Sequence, residues 1–454
     1  MLPHLVTSIP GPRSKALAET LARYECRNIT FLSPEFPIFW ERARWANVWD
    51  VDGNRYLDFT SAFGVAGNGF TPQAVVEAIQ HQASLLIHGM GDVHPHMPKV
   101  DLCRILSALT YESWGIGEGK TILTNSGSEA VEAALATAYL ATGKPGVIAF
   151  DGGYHGLTLA ARSATGLQEF RLPFSKLILP EIFHLPYPTC YSCGQSPSVC
   201  QTSCRSAWEA ALEDLLKKNQ DRIGAVIVEP IQGRGGCRIP PDWFLPRLRE
   251  LCDEKDWLLI ADEIFTGGWR TGRRFGCDWT ATVPDLICLS KAITGGFPLG
   301  ACVGPASLMD AAWPPSQGEA LFTSTHLGHP IGCRMAIAAI SGLEDANVPV
   351  RVTQAGDRLL KILEGLATTY PSLCRNARGK GLMLGLDCAD MTGKPLPQLC
   401  QRLISESLKL GMLILSGGAE HHTLTLTPPY CINHEELDYF ESRMQIILAS
   451  LQTL

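Results

Sequence analysis

The chain has 454 residues, 46% of them hydrophobic and 18% charged, with a formal net charge of −7. That composition is globular and long enough for one large core or two to three lobes. A mild acidity without charged blocks argues against nucleic acid or anionic membrane as a partner. No apolar run approaches the roughly 20 residues of a membrane span. Pro3, Pro10, Gly11 and Pro12 stand where a signal peptide needs an apolar core, so a cytoplasmic protein is expected.

Residues 1–45 read as an arm of short helix and loop. Val48 to Asp58 reads as a hairpin about an Asp52-Gly53-Asn54 turn. Residues 71–86 have helical spacing, with Thr71 as N-cap and Pro72 at N1. A βα rhythm follows, with apolar strands expected at 121–124, 146–150, 223–229, 257–262 and 285–290 and an alanine-rich helix at 128–141. Short, continuous apolar runs alternating with helices predict a mostly parallel sheet covered on both faces. After residue 330 the pattern changes to helices at 331–343, 352–368 and 435–451 and strands at 382–387 and 423–427, a smaller α+β lobe.

The 16 cysteines are mostly scattered among apolar neighbours, where Cys288, Cys302 and Cys333 read as small core residues. Cys190, Cys193, Cys200 and Cys204 differ. Their close spacing is open to a metal knuckle, a local disulfide or unligated thiols. Gly115-Ile-Gly-Glu-Gly-Lys-Thr121 imitates a nucleotide P-loop, but Trp114 stands where its first glycine belongs and a strand, not a helix, follows.

In parallel sheets ligands bind beyond the carboxyl ends of the strands, and the chemically suggestive residues fall there. Asn125-Ser126-Gly127-Ser128 lies between a strand and a helix. It is either a phosphate cradle of free N–H groups and helix dipole or a plain N-cap. Tyr154 and His155 sit in a glycine-rich loop, where the aromatic ring could stack on a planar ligand or close a turn. Asp262 ends an apolar run, and a buried carboxylate wants a cationic partner. A protonated pyridine nitrogen, or an arginine such as Arg270 or Arg273, would serve. Lys291 follows the next strand. A lone lysine is most often a solvated charge, but beyond such an acid an amine suits an enzyme that holds an aldehyde cofactor as a Schiff base.

Taken in order, Asn125-Ser-Gly-Ser-Glu-Ala130, Gly152-Gly-Tyr-His-Gly156, Val228-Glu-Pro-Ile-Gln-Gly233, Asp262-Glu-Ile-Phe-Thr-Gly267 with Arg270-Thr-Gly272, Ser290-Lys-Ala-Ile-Thr-Gly-Gly296 and Thr323-Ser-Thr-His-Leu-Gly-His-Pro330 resemble the class III pyridoxal-phosphate aminotransferases, the family of the 4-aminobutyrate and ornithine enzymes. The resemblance covers most of the chain, from about Trp49 to Pro429. It implies an α/β fold of type I, with a mostly parallel seven-stranded sheet flanked by helices and a smaller α+β lobe. Its expected boundaries are an arm and part of the small lobe at 1–75, a cofactor domain at 76–335 and a small domain at 336–454.

The resemblance also implies roles. Lys291 would hold pyridoxal 5′-phosphate and move the proton. Asp262 would keep the pyridine nitrogen protonated. Tyr154 and Ile264 would cover the ring faces, and His155 and Glu229 would support the pocket. Ser126, Gly127 and Ser128 would meet the phosphate. Thr325 would reach the phosphate of a neighbouring subunit in a homodimer with interfacial sites. No metal is expected among these residues. The expected partners are an amine donor and an oxo-acid acceptor. An amino-acid racemase or epimerase on the same scaffold is the alternative, and a non-catalytic member is disfavoured by the joint presence of Lys291, Asp262 and the phosphate turn.

Four positions depart from the familiar pattern. Leu157 stands where many relatives have an arginine that holds the substrate carboxylate, Arg234 where many have a glutamate that gates against an arginine of the C-terminal lobe, Thr425 where that partner arginine should lie, and Phe265 where many have a glutamine near the cofactor's phenolic oxygen. Arg234 is open to two readings, a replacement carboxylate site or a surface arginine in a Gly-Arg-Gly-Gly loop. Leu157 favours an amine or longer ω-amino acid over a small α-amino acid.

Overall fold

A computed structural model describes residues 1–189, 197–345 and 347–452, without the side chains of 197–202. Cys190 and Cys193, and the side chain of Cys200, lie outside what the structure describes, so the expectations for them do too; Cys204 is half-buried on the helix Pro197–Asn219. The chain divides into two compact units, one of residues 1–72 and 350–454, the other of 73–349.

The larger unit is built on seven strands: β1 Gly119–Thr124, β2 Gly146–Phe150, β3 Ile182–Leu185, β4 Ile223–Val228, β5 Leu258–Asp262, β6 Leu286–Leu289 and β7 Gly300–Pro305. Their spatial order is β1-β7-β6-β5-β4-β2-β3. All neighbours pair in parallel except β7, which runs antiparallel to both β1 and β6. The strands read as unbroken apolar runs because both faces are covered. Alternate side chains part to two cores. Val147, Ala149, Ala225, Ile227 and Ile260 face one, and Ile148, Phe150, Val226, Val228 and Leu259 face the other.

Helices α1 Gln73–Leu85, α2 Met97–Ser107, α3 Gly127–Thr142, α4 Phe244–Lys255 and α5 Pro330–Leu343 belong to this unit. Helix α3 contributes Ala130, Ala133, Ala134 and Ala138 to the first core, and these small side chains let its backbone lie close to the sheet. The helix ends at Gly143, whose φ of 67° is a left-handed C-cap. On the other face Phe244 from α4 meets Phe150, Tyr187 and Trp208 in edge-on aromatic contacts. Thr71 does not cap α1: its hydroxyl donates to the carbonyl of Ala43, and the helix begins at Gln73. Strands β3 and β7 have no counterpart among the runs expected from the residues alone.

The smaller unit holds two four-stranded sheets. Trp40–Arg44, Asn47–Asp50 and Arg55–Asp58 form a meander, joined in parallel by Met412–Leu413. Cys374–Lys380, Met383–Cys388, Thr423–Leu426 and Leu415–Gly417 form an antiparallel sheet. Thr425 lies in that sheet and donates to the carbonyl of Leu415. Among the described residues no helix is long and apolar enough to cross a membrane.

Candidate active site

A cleft of ≈550 Å³ opens in the larger unit, lined by Gly127, Ser128, Tyr154 to Thr158, Glu229, Arg234, Asp262, Ile264, Phe265, Ser290 and Lys291. Five of the seven strands send a residue or following loop to it, so the sheet edge predicted to carry the chemistry does carry the cavity. Most of the sequence-predicted residues meet here. Ser126 and Thr325 do not line it, and Thr425 belongs to the other unit.

The turn after β1 is a variant of a capping box. Ser126 accepts the N–H of Glu129 at 3.1 Å, and the Glu129 carboxylate accepts the N–H of Asn125 at 2.9 Å, one residue before the cap. Ser126 is thereby the N-cap of α3, and its side chain is used locally. Gly127 and Ser128 begin the helix, where N–H groups lack intrahelical acceptors and face anions. A side chain on Gly127 would sit 2.9 Å from Cδ1 of Ile264, so the glycine brings the turn against the residue that follows Glu263. The Ser128 hydroxyl accepts the N–H groups of Leu157 and Thr158 and shares a 2.6 Å bond with the Thr158 hydroxyl. It ties the phosphate turn to the Tyr154 loop. Gly156 is required there twice over: its φ is 116°, and an added Cβ would lie 2.2 Å from the Ser128 oxygen.

Asp262 is 3% exposed at the end of β5. Its Oδ2 meets Nδ1 of the buried His155 at 2.8 Å, and its Oδ1 accepts the N–H of Ile264. Burial works against a charge on His155, yet the Asp262 carboxylate outweighs it and the histidine pKa is raised. Asp262 thus has His155 as a protein partner. Arg273 instead lies over the ring of Trp279. The pairing joins residues on two strand ends, and no spacing in the sequence announces it.

Lys291 adopts a φ of 46°, a left-handed conformation that costs a non-glycine residue roughly 1–2 kcal/mol. Its amine lies 3.8 Å from the centre of the Phe265 ring. Burial lowers its pKa to about 8; Arg234 and Arg270 act in the same direction, while Asp262 and Glu229 oppose it. A larger fraction of the amine is therefore neutral, and nucleophilic, near physiological pH than in an ordinary lysine.

Glu229 was expected only to support the pocket, and the structure gives that support a form. One carboxylate oxygen accepts the N–H of Tyr154 at 2.8 Å and the other the N–H of Gly233 at 3.0 Å. Burial raises its pKa to about 7, helped by Asp262 and opposed by His155 and the two N–H groups. The residue positions two loops at once. On the second loop, the Arg234 guanidinium stands 5.1 Å from the Tyr154 ring centre and 5.0 Å from that of Phe170. Arg234 therefore faces the cleft, held by two aromatic rings. Leu157 is 38% exposed at the mouth. Thr158 and Ser290 also line the cleft; Ser290 donates to the carbonyl of Leu299. Neither was singled out beforehand, because single hydroxyls beside glycine-rich turns carry no distinctive pattern.

The donor set fits pyridoxal phosphate. It presents a buried carboxylate for a ring nitrogen, a neutral-leaning amine for an aldehyde, a helix N-terminus for a phosphate, and Tyr154 and Ile264 as apolar lining for a flat ring.

Comparison with known proteins agrees. Residues 32–448 match the family model described as aminotransferase class-III. The chain is 35% identical over 422 residues to the 2-aminoadipate transaminase of Pseudomonas putida, covering 91% of this chain and 96% of that protein. It is 34% identical over 444 residues to the 4-aminobutyrate aminotransferase of Mycobacterium leprae, covering 95% of each. An amine transaminase from an uncultivated Pseudomonas species, solved in its PLP-bound form, superposes with a TM-score of 0.85 at 28% identity, over 94% of this chain and 98% of that one. On sequence, fold and donor set alike, the chain belongs to the class III aminotransferases, α/β enzymes of fold type I that depend on pyridoxal phosphate.

Proposed function

We propose that the enzyme transfers the amino group of an ω-amino acid to a 2-oxo acid, with the donor's carboxylate bound by Arg234. The observation that carries this reading is the placement of the Arg234 guanidinium and the Lys291 amine on one cleft. Relatives named for 2-aminoadipate, 4-aminobutyrate and 5-aminovalerate support a donor that bears a carboxylate.

When bound, pyridoxal phosphate supplies an aldehyde that condenses with amines and a ring that accepts an electron pair from the adjoining carbon. Lys291 would hold that aldehyde, and its amine would move the proton of the donor's amine-bearing carbon. A pKa near 8 suits that exchange, because the same group must accept the proton and give it back. Asp262, backed by His155, holds a proton at the ring nitrogen. Gly127 and Ser128 receive the phosphate, with Ser126 shaping their turn. Tyr154 and Ile264 flank the ring, and Glu229 sets the height of the Tyr154 wall relative to Arg234. Thr325 is exposed on the turn before α5 and, in this reading, serves the phosphate of a second subunit in a cytoplasmic homodimer. Leu157 and Phe265 give the donor's chain an apolar path.

The test is a donor and acceptor screen. With 2-oxoglutarate or pyruvate present, 4-aminobutyrate or 5-aminovalerate should yield glutamate or alanine, with kcat/KM at least about 10-fold above that of butylamine, the value of one charged hydrogen bond. Equal rates for the acid and the amine would remove Arg234 from the reading. With a chiral α-amino acid as donor, loss of optical activity without any new amino acid would replace transfer by racemisation.

A further inference from the structure

Two arginines act on the donor side of the cleft, and their surroundings differ. Arg234 lies on the loop after β4, and its backbone is fixed one residue earlier, where the Gly233 N–H donates to Glu229. Its guanidinium stands 5.1 Å from the Tyr154 ring centre and 5.0 Å from that of Phe170. Those two rings meet edge to face, with centres 5.5 Å apart and planes at 73°, so they form a corner and not a flat wall. Among the described residues no carboxylate pairs with Arg234 and no carbonyl accepts from it. The rings take the face of the guanidinium and leave its N–H donors for a ligand.

Arg162, on the short helix Leu159–Ala164, is engaged on every side. Its Nε and one terminal nitrogen donate to the Leu157 carbonyl at 3.2 and 3.0 Å, and the other terminal nitrogen donates to the Phe170 carbonyl at 3.1 Å. The guanidinium also lies over Phe174, 3.7 Å from the ring centre. A planar fork can bridge two carbonyls in this way; a lysine ammonium, a point charge on a flexible stem, cannot hold the same geometry. Leu157 is held from its other end as well, its N–H donating to the Ser128 hydroxyl. A continuous bracket therefore runs from Ser128 through Leu157 and Arg162 to Phe170, and from that ring to Arg234. Every residue in it belongs to the larger unit of one chain, so the bracket does not depend on what covers the mouth.

We propose that Phe170, held in place by Arg162, sets the length of donor the enzyme accepts, by fixing the Arg234 guanidinium at one distance from the Lys291 amine. The inference rests on the reading of Arg234 as the carboxylate site. An arginine free to change rotamer follows carboxylates at several distances. A guanidinium seated in a rigid corner accepts one span between amine and carboxylate. A donor one methylene longer or shorter then loses the contact or is strained in keeping it. Neither Phe170 nor Arg162 touches a reacting atom; both act through Arg234, as positioning residues.

The test is a length profile of the holoenzyme: kcat/KM for unbranched ω-amino acids from β-alanine to 6-aminohexanoate, each divided by the value for butylamine in the same variant. The division removes any general loss from folding or cofactor retention. In the parent, each methylene away from the best donor should lower the ratio about 10-fold or more. Phe170→Leu should flatten each step to about 3-fold or less, mainly through KM, a change of the size one cation–ring contact accounts for. Phe170→Tyr keeps the ring and should keep the parent's steps. Arg162→Lys keeps the charge but loses the fork, and should flatten the profile as Phe170→Leu does. An unchanged profile in Phe170→Leu or in Arg162→Lys would overturn the inference, and so would a flat profile in Phe170→Tyr. A parent that uses butylamine as well as its best ω-amino acid would overturn the reading of Arg234 itself, and the inference with it.

Discussion

The two walls of the cleft are built differently. The wall we assign to the cofactor is made of strand ends and one helix start. Asp262 closes β5, Lys291 follows β6, and Gly127 opens α3. Each is fixed by ladder or cap hydrogen bonds, so its position follows from the sheet. The wall we assign to the donor is made of loops. Leu157, Arg234 and Phe265 hang from turns whose heights are set by single side chains, Ser128 for one and Glu229 for another. A frame so fixed can keep one chemistry while its loops exchange substrates. All four departures from the familiar family pattern spare the strand-end residues.

That contrast makes distinct demands on variants. Lys291→Ala should abolish turnover with every donor, by about 10⁴-fold or more, checked by steady-state assay with several amines. Any donor that escaped the loss would break the division between walls. Arg234→Ala should act selectively, raising KM about 10–100-fold for ω-amino acids while leaving butylamine unchanged. A parallel rise for both donors would mean that Arg234 shapes the pocket through Tyr154 and Phe170 rather than binding a carboxylate.

His155→Phe should lower kcat about 10-fold for all donors alike, the smaller end of a charged hydrogen bond. It should also weaken retention of pyridoxal phosphate during dialysis. A donor-dependent effect would place His155 on the substrate wall. The subtlest expectation concerns pH. Capture of pyridoxal phosphate by cofactor-free protein requires a neutral Lys291 amine. Its rate, followed by absorbance, should climb with pH and level off above about 8, whereas an ordinary lysine keeps gaining neutral amine to beyond pH 10. Continued rise past pH 10 would return Lys291 to an unperturbed environment.

The same division decides what could be read in advance. Strands β1, β2, β4, β5 and β6 announced themselves as apolar runs, and Asn125-Ser-Gly-Ser128 between strand and helix was legible as either a phosphate cradle or a plain N-cap. Strand β7 did not, because Gly300, Gly304 and Pro305 depress its strand character. Gly300 has a positional reason: a side chain there would lie 2.4 Å from the Ser126 carbonyl. The residue that hid the strand is the one that lets it pass beneath the turn. The Asp262–His155 pair and the double grip of Glu229 were invisible for another reason. They join residues far apart in sequence, and only the assembled sheet brings them within hydrogen-bond reach.

Strand β7 also has a consequence for how the enzyme comes into being. The strand that leads to Lys291 and the strand that leads to the phosphate turn are not neighbours; β7 separates them, pairing Gly300 with Thr124 and Ala301 with Leu289. Until residues 300–305 have left the ribosome and threaded between the two, the amine and the turn have no set separation. Such long-range insertion is slow compared with local folding. A nascent chain ending at residue 299 would contain the aspartate, the lysine and the turn after β1, but not the strand that spaces them. The antiparallel strand is the last of the seven in chain order, and the separation of the amine from the turn is set only when it has closed the sheet.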